Sequence, residues 1–113
     1  MREAASVRIA LTTVGSAEEA RRLARLLVER RLAACVNLIP NLASIYRWQG
    51  EVEEAAEILL LMKTTAEQLP ALEAAVRELH SYKVPEFLAL VVESGNQPYL
   101  DWLFGSVDRS VDQ

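Results

Sequence analysis

The stretch from Cys35 to Thr64 limits the possible folds more than any other part of the chain. Ser44-Ile45-Tyr46-Arg47-Trp48 carries the aromatic and β-branched residues that suit strands, and Gln49-Gly50 behind it permits a tight turn. The segment from Glu51 to Thr64 is ambiguous by itself. Glu53-Glu54-Ala55-Ala56-Glu57 favours a helix, and Val52, Ala55, Ala56, Leu59 and Met62 could form a helical stripe. A glycine turn after an aromatic strand argues for the other choice, a long hairpin, because Thr65 to Gln68 opens the next helix with its own capping pattern.

The rest of the chain fits around that hairpin. Val7, Ile9 and Leu11 alternate with Arg8, Ala10 and Thr12, which predicts a first strand with one buried face. Ser16 and Glu19 form a capping box ahead of Ala20, Leu23, Ala24, Leu27 and Val28, so a helix is expected to about Arg30. Cys35 to Ile39 reads as a short strand ended by Pro40-Asn41. Leu69, Leu72, Val76 and Leu79 predict a second helix ending near His80, with Pro70 tolerated in its first turn. Phe87 to Val92 is continuous enough for a strand buried on both faces, and Tyr99, Trp102 and Leu103 share a face of a closing helix expected to pack on the sheet. The order predicts an α+β fold, a ferredoxin-like split βαβ sandwich with a long projecting hairpin and a C-terminal helix, in one domain over residues 1–113. The long hairpin exposes strand edges that self-association would cover.

Composition narrows the function. A net charge of −4 and an acidic pI offer no footprint for nucleic acid, whose phosphates call for Lys and Arg gathered on one face. The longest apolar runs are far below the ~20 residues of a membrane-spanning helix. The N-terminal residues lack the apolar core and small-residue cleavage site of a secretory signal, so a cytoplasmic protein is expected. Cys35 is the only cysteine, which excludes an intrachain disulfide and paired-cysteine zinc sites.

Several motifs stand in one order: Ala34-Cys35-Val36-Asn37 with Pro40, Ser44 to Gly50, Lys63-Thr64, His80-Ser81-Tyr82-Lys83-Val84-Pro85-Glu86, and Tyr99-Leu100-Asp101-Trp102. Together they resemble the CutA divalent-cation-tolerance family across nearly the whole chain. The resemblance implies a ferredoxin-like homotrimer, takes Glu51 to Thr64 as strand, and brings in copper or another divalent cation as a partner. Copper favours imidazole and thiolate, and this chain offers His80 and Cys35, with Glu86 as an assisting carboxylate, if fold or assembly brings them together. Some relatives carry a cysteine in the first strand and a second histidine before the one matched by His80; here Thr12 and Leu79 stand there. His80 could equally cap a helix C-terminus, and Cys35 could be a small core residue.

Lys63, Tyr82, Lys83, Glu86 and Tyr99 could instead line a polar cleft for a small anionic or zwitterionic ligand, or satisfy one another at a subunit interface. Tyr46, Arg47 and Trp48 are the residue types enriched at interface centres, and with Trp102 they are the expected trimer contacts. Glu51, Glu53, Glu54 and Glu57 read as a solvated strand surface. No Ser-His-Asp set, phosphate-cradling glycine loop or cofactor fingerprint can be assembled, so no catalysis is expected. Two functions remain: a cytosolic metal-tolerance trimer that binds a divalent cation, or a trimeric scaffold or sensor for a small molecule or protein.

Overall fold

The computed structural model describes residues 3–108; Met1 and Arg2, part of the N-terminal reading above, lie outside it, as do residues 109–113. After a short turn at Ala4–Ser6 come β1 (Val7–Val14), α1 (Ala17–Glu29), β2 (Cys35–Trp48), β3 (Glu51–Thr65), α2 (Leu69–Leu79), β4 (Leu88–Val91) and α3 (Gln97–Val107). The sheet has the order β2-β3-β1-β4 and every pairing is antiparallel.

The ambiguous segment is a strand. Gln49 and Gly50 both have positive φ, 49° and 83°, as a two-residue hairpin turn requires. β1 reaches only as far as the Val14–Ile58 pair, so beyond it the hairpin pairs with itself alone.

Pro40-Asn41 does not end a strand, contrary to expectation. β2 runs through it with a bulge: Ile39 pairs with Leu59, whereas the next pair is Leu42 with Glu57. The extra residue accommodates Pro40, which cannot donate to a ladder, and Asn41, which takes φ 64°. A one-residue insertion exchanges the faces of everything after it. Val36 and Leu38 therefore pack toward the helices, whereas Ser44, Tyr46 and Trp48 share a face with Glu53 and Glu57 on the opposite side.

The first strand buries the other face from the one expected. Ala10, Thr12 and Val14 are fully buried with Leu60 and Met62, against Leu23 and Leu27 of α1 and Leu72 and Val76 of α2. The helix-facing side carries Arg8 and Thr12 beside Ala10 and Val14, so it is the less apolar of the two, and alternation alone points to the other side. Ile9 and Leu11 point away from the helices and are only half-buried, while Val7 is covered by α3.

α1 starts as its sequence suggests, with Ser16 Oγ accepting from the Glu19 amide at 3.1 Å. The box is not reciprocal, because Glu19 sends its carboxylate to Ser81. Thr65 Oγ1 accepts from the Gln68 amide at 3.3 Å, but this forms a turn and α2 begins at Leu69. β4, expected to be buried on both faces, is an edge strand that among the described residues pairs with β1 alone, and Leu88 and Leu90 are 58% and 52% exposed. The face of α3 that packs is Leu100, Leu103, Phe104 and Val107, which leaves Tyr99 and Trp102 outside.

Thr12 Oγ1 is buried and has no hydrogen-bond partner among the described residues. Thr12→Val keeps the shape and removes an unsatisfied hydroxyl, so it should raise the unfolding free energy by about 1 kcal/mol. The midpoint of urea unfolding checks this; a lower midpoint would mean that the hydroxyl has a partner.

Candidate functional site

The segment that joins α2 to β4 is tied to three other elements in three successive residues. His80 caps α2, its amide donating to the Val76 carbonyl, and its ring is buried beneath β1. Nε2 lies 2.7 Å from the Thr13 carbonyl oxygen and Nδ1 lies 3.0 Å from the Tyr82 amide. A carbonyl can only accept and an amide can only donate, so the ring is the Nε2–H tautomer with its Nδ1 lone pair already engaged. Ser81 donates from its amide and its hydroxyl to the two Glu19 oxygens at 2.9 and 2.8 Å.

Tyr82 completes the series by donating its hydroxyl to Glu57 at 2.7 Å. Glu57 sits on β3 just past the end of β1, where the sheet leaves room for the phenol to enter. A Cβ at Gly15 would stand 3.3 Å from the Tyr82 hydroxyl, so the absence of a side chain there helps the ring to lie close. Burial pushes the Tyr82 phenol up to about 12, assisted by the hydrogen bond to Glu57 and by the negative charges of Glu57 and Glu19.

Between this segment and the hairpin runs a groove of about 710 Å³. Tyr46 and Trp48 line it from β2, Glu53 and Glu57 from β3, and Tyr82, Lys83 and Glu86 from the connecting segment. The bulge makes this wall possible: without the extra residue the two hairpin aromatics would point to the helix side. The hairpin carboxylates, read from sequence as a solvated surface, thus divide. Glu57 is buried in the groove floor and Glu53 lines the wall.

The expected metal donors His80, Cys35 and Glu86 are not brought together within the chain. Both His80 nitrogens are engaged. Cys35 pairs with Lys63, four residues along β3 from the Leu59 that pairs with Thr13, a distance of about 13 Å along a strand. Its half-buried, free thiol lies 3.8 Å from Asn37 Oδ1. Among the described residues, no group of three His, Cys, Asp or Glu side chains could hold a metal ion.

The expected cleft also divides. Tyr82, Lys83 and Glu86 share the groove, whereas Lys63 lies at the far end of the sheet, 3.4 Å from the Tyr99 hydroxyl and 5.7 Å from its ring centroid. Trp102 stacks at a tilt on Tyr99, 5.4 Å between centroids, and so belongs with that second cluster rather than with Tyr46 and Trp48. Arg47 pairs with Val52 on the hairpin face opposite the groove. Sequence reasoning missed Glu19, Ser81 and Glu57 as the ties that position the segment. The one available signal was Glu57 as an acidic residue at a strand position that becomes buried.

The sequence profile of the family described as CutA1 divalent ion tolerance protein matches residues 8–106. The chain is 58% identical over 95 residues to the divalent-cation tolerance protein CutA of Thermus thermophilus, covering 84% of this chain and 92% of that one. It is 50% identical over 98 residues to protein CutA of Mus musculus, covering 87% of this chain and 55% of that one, so it spans just over half the length of the mouse relative. The solved structure of CutA from Synechococcus elongatus superposes with a TM-score of 0.90 at 42% identity, with 95% of each chain covered.

A phenol whose folded pKa is raised stabilises the fold below its unfolded value, near 10, and loses that contribution as pH rises through about 12. In an ultraviolet titration, one of the three tyrosines should therefore ionise about two pH units after the free phenol range. Tyr82→Phe should delete that late phase. A late phase that survives the substitution would contradict the Tyr82–Glu57 contact.

Proposed function

Because this chain belongs to the CutA1 divalent ion tolerance family, we propose that it serves divalent-cation tolerance as a cytoplasmic, ferredoxin-like homotrimer, with any ion held between copies rather than inside one chain. The sheet order β2-β3-β1-β4 with two helices on one face is the layout that the ferredoxin-like description requires. The observation that carries the reading is the other face of the sheet. Register places Ile9, Leu11, Ile39, Leu59, Leu61, Leu88 and Leu90 there together, and no helix of the described residues covers them between α3 at one end and the groove at the other. A continuous apolar sheet face beside an exposed edge strand is a surface that a second copy can cover. The threefold number comes from the family resemblance.

Copper, or another divalent cation, belongs to this reading through the family. The donor set argues against a centre built on His80, since its lone pair is used to hold Tyr82. Carboxylates in the groove would attract cations weakly and without preference for copper. The reading includes no catalysis. Ser81 directs its hydroxyl at Glu19 and His80 has no free nitrogen, so the one serine beside a histidine in this segment lacks a base. The second reading, a trimeric scaffold or sensor for a small molecule or protein, is favoured by the groove, which has room for more than an ion.

Light scattering should give three times the chain mass, and Leu90→Asp should move it toward a single chain while far-ultraviolet circular dichroism is retained. A wild-type protein that scatters as one chain would contradict the assembly. His80→Ala should lower the unfolding free energy by about 2 kcal/mol through two lost buried hydrogen bonds, yet leave a calorimetric Cu(II) isotherm unchanged. Loss of tight, saturable Cu(II) binding with mass and fold intact would restore His80 as a ligand.

A further inference from the structure

The fastening of the segment from His80 to Tyr82 contains a group that changes charge in mildly acid solution. The His80 side chain is fully buried, and its surroundings are fixed from several directions. From β1, the Thr13 carbonyl accepts the Nε2 proton at 2.7 Å. From its own segment, the Tyr82 amide donates to Nδ1 at 3.0 Å, and the Tyr82 ring lies 4.8 Å away between centroids at a tilt of 45°. From α1, Glu19 Oε2 stands 3.8 Å from Nδ1 while it accepts from the Ser81 amide at 2.9 Å. From α2, the ring meets the C-terminal turn, the negative end of that helix, where Arg77 and Glu78 are both exposed. Glu57 of β3 acts on the ring through Tyr82, whose hydroxyl it holds.

These partners allow two arrangements. In the neutral ring, Nδ1 is an acceptor and the Tyr82 amide is its donor. A proton added at Nδ1 points at the amide proton, donor against donor, so the two must separate. The charged ring has an alternative partner in reach, because the Glu19 carboxylate stands beside the same nitrogen and the end of α2 favours a cation. The Nε2–H bond to Thr13 is the same in both states, so the ring keeps its anchor on β1 while it changes partner at the other nitrogen. We infer that His80 is an acid-operated fastening: protonation at Nδ1 releases the Tyr82 amide, passes the ring to Glu19 and loosens the segment from Tyr82 to Glu86. The change takes place at a ring buried inside one chain, so it does not depend on which face of the sheet a second copy covers. It goes beyond the tolerance reading and does not rest on it.

The test follows the full, isotope-labelled protein in its assembled state by NMR, from about pH 7.5 down to about pH 5. Ring nitrogen shifts report the state of His80. Hydrogen exchange of the Tyr82 amide, corrected for its intrinsic rate and compared with Leu27 inside α1, reports the bond. The expected result is the Nε2–H tautomer at the upper pH. At the lower pH both ring nitrogens should carry protons and Tyr82 protection should fall about tenfold, the worth of one hydrogen bond, with Leu27 unchanged. His80→Asn offers an amide oxygen to the Tyr82 amide and takes up no proton, so it should remove the pH dependence. Glu19→Gln withdraws the charge that receives the imidazolium, so protonation and release should move together to lower pH. This variant keeps the test valid should His80→Asn disturb the fold.

A ring that stays neutral throughout that range would overturn the inference, as would an imidazolium that forms while the Tyr82 amide keeps its protection. Loss of protection that persists in His80→Asn would assign the release to another acid group and overturn it too. Release at an unchanged pH in Glu19→Gln would overturn Glu19 as the receiving partner.

Discussion

One inserted residue in β2 decides what this sheet can present. Before the bulge the even-numbered side chains of β2 pack toward the helices, and after it they face away, because Leu42 pairs with Glu57 where continuous register would have paired Asn41. The hydrophobic core and the groove wall are thus drawn from the same strand without conflict. Val36 and Leu38 contribute to the core, and Tyr46 and Trp48 contribute to the groove. Pro40 and Asn41 are the local chemistry of that switch, one lacking an amide donor and the other tolerating a left-handed backbone.

The groove's opposite wall depends on polar rather than apolar contacts. The segment from His80 to Tyr82 has too little apolar surface to hold itself against the sheet, and it is held by a backbone carbonyl of β1, a carboxylate of α1 and a carboxylate of β3. Two of these acceptors are buried acids, Glu19 and Glu57, and each is satisfied by donors from the segment. Breaking one partner would leave a buried charge unpaired, so the ties favour a single position for the segment. This is also why His80 reads as a fastening. Its chemistry as a ligand and its role in holding Tyr82 require the same lone pair.

The sequence made the α+β class, the element order and the hairpin turn legible because each rests on local chemistry: alternation, capping and a glycine that accepts positive φ. It left the sheet faces open. In β1 the more apolar face, Val7, Ile9 and Leu11, reads as the core; α3 does bury Val7, but the helices pack on the smaller Ala10, Thr12 and Val14 and leave Ile9 and Leu11 half-buried. Phe87 to Val92 looked doubly buried because an edge strand with an uncovered apolar face has the same composition as a central one. The candidate site was legible in its residue types and not in its grouping. Tyr82, Lys83 and Glu86 are adjacent in the chain and do share the groove, but whether Lys63 and Tyr99 join them depends on strand register, and register is a long-range property.

The bulge turns the hairpin aromatics and carboxylates toward the His80 to Tyr82 segment. Nuclear Overhauser contacts between backbone protons of β2 and β3 test it most directly, joined with contacts from the Tyr82 ring. Ile39 should lie opposite Leu59, Leu42 opposite Glu57 and the Tyr82 ring against the Glu57 side chain. Contacts pairing Asn41 with Glu57, with Tyr46 and Trp48 on the helix side, would contradict it and dissolve the groove.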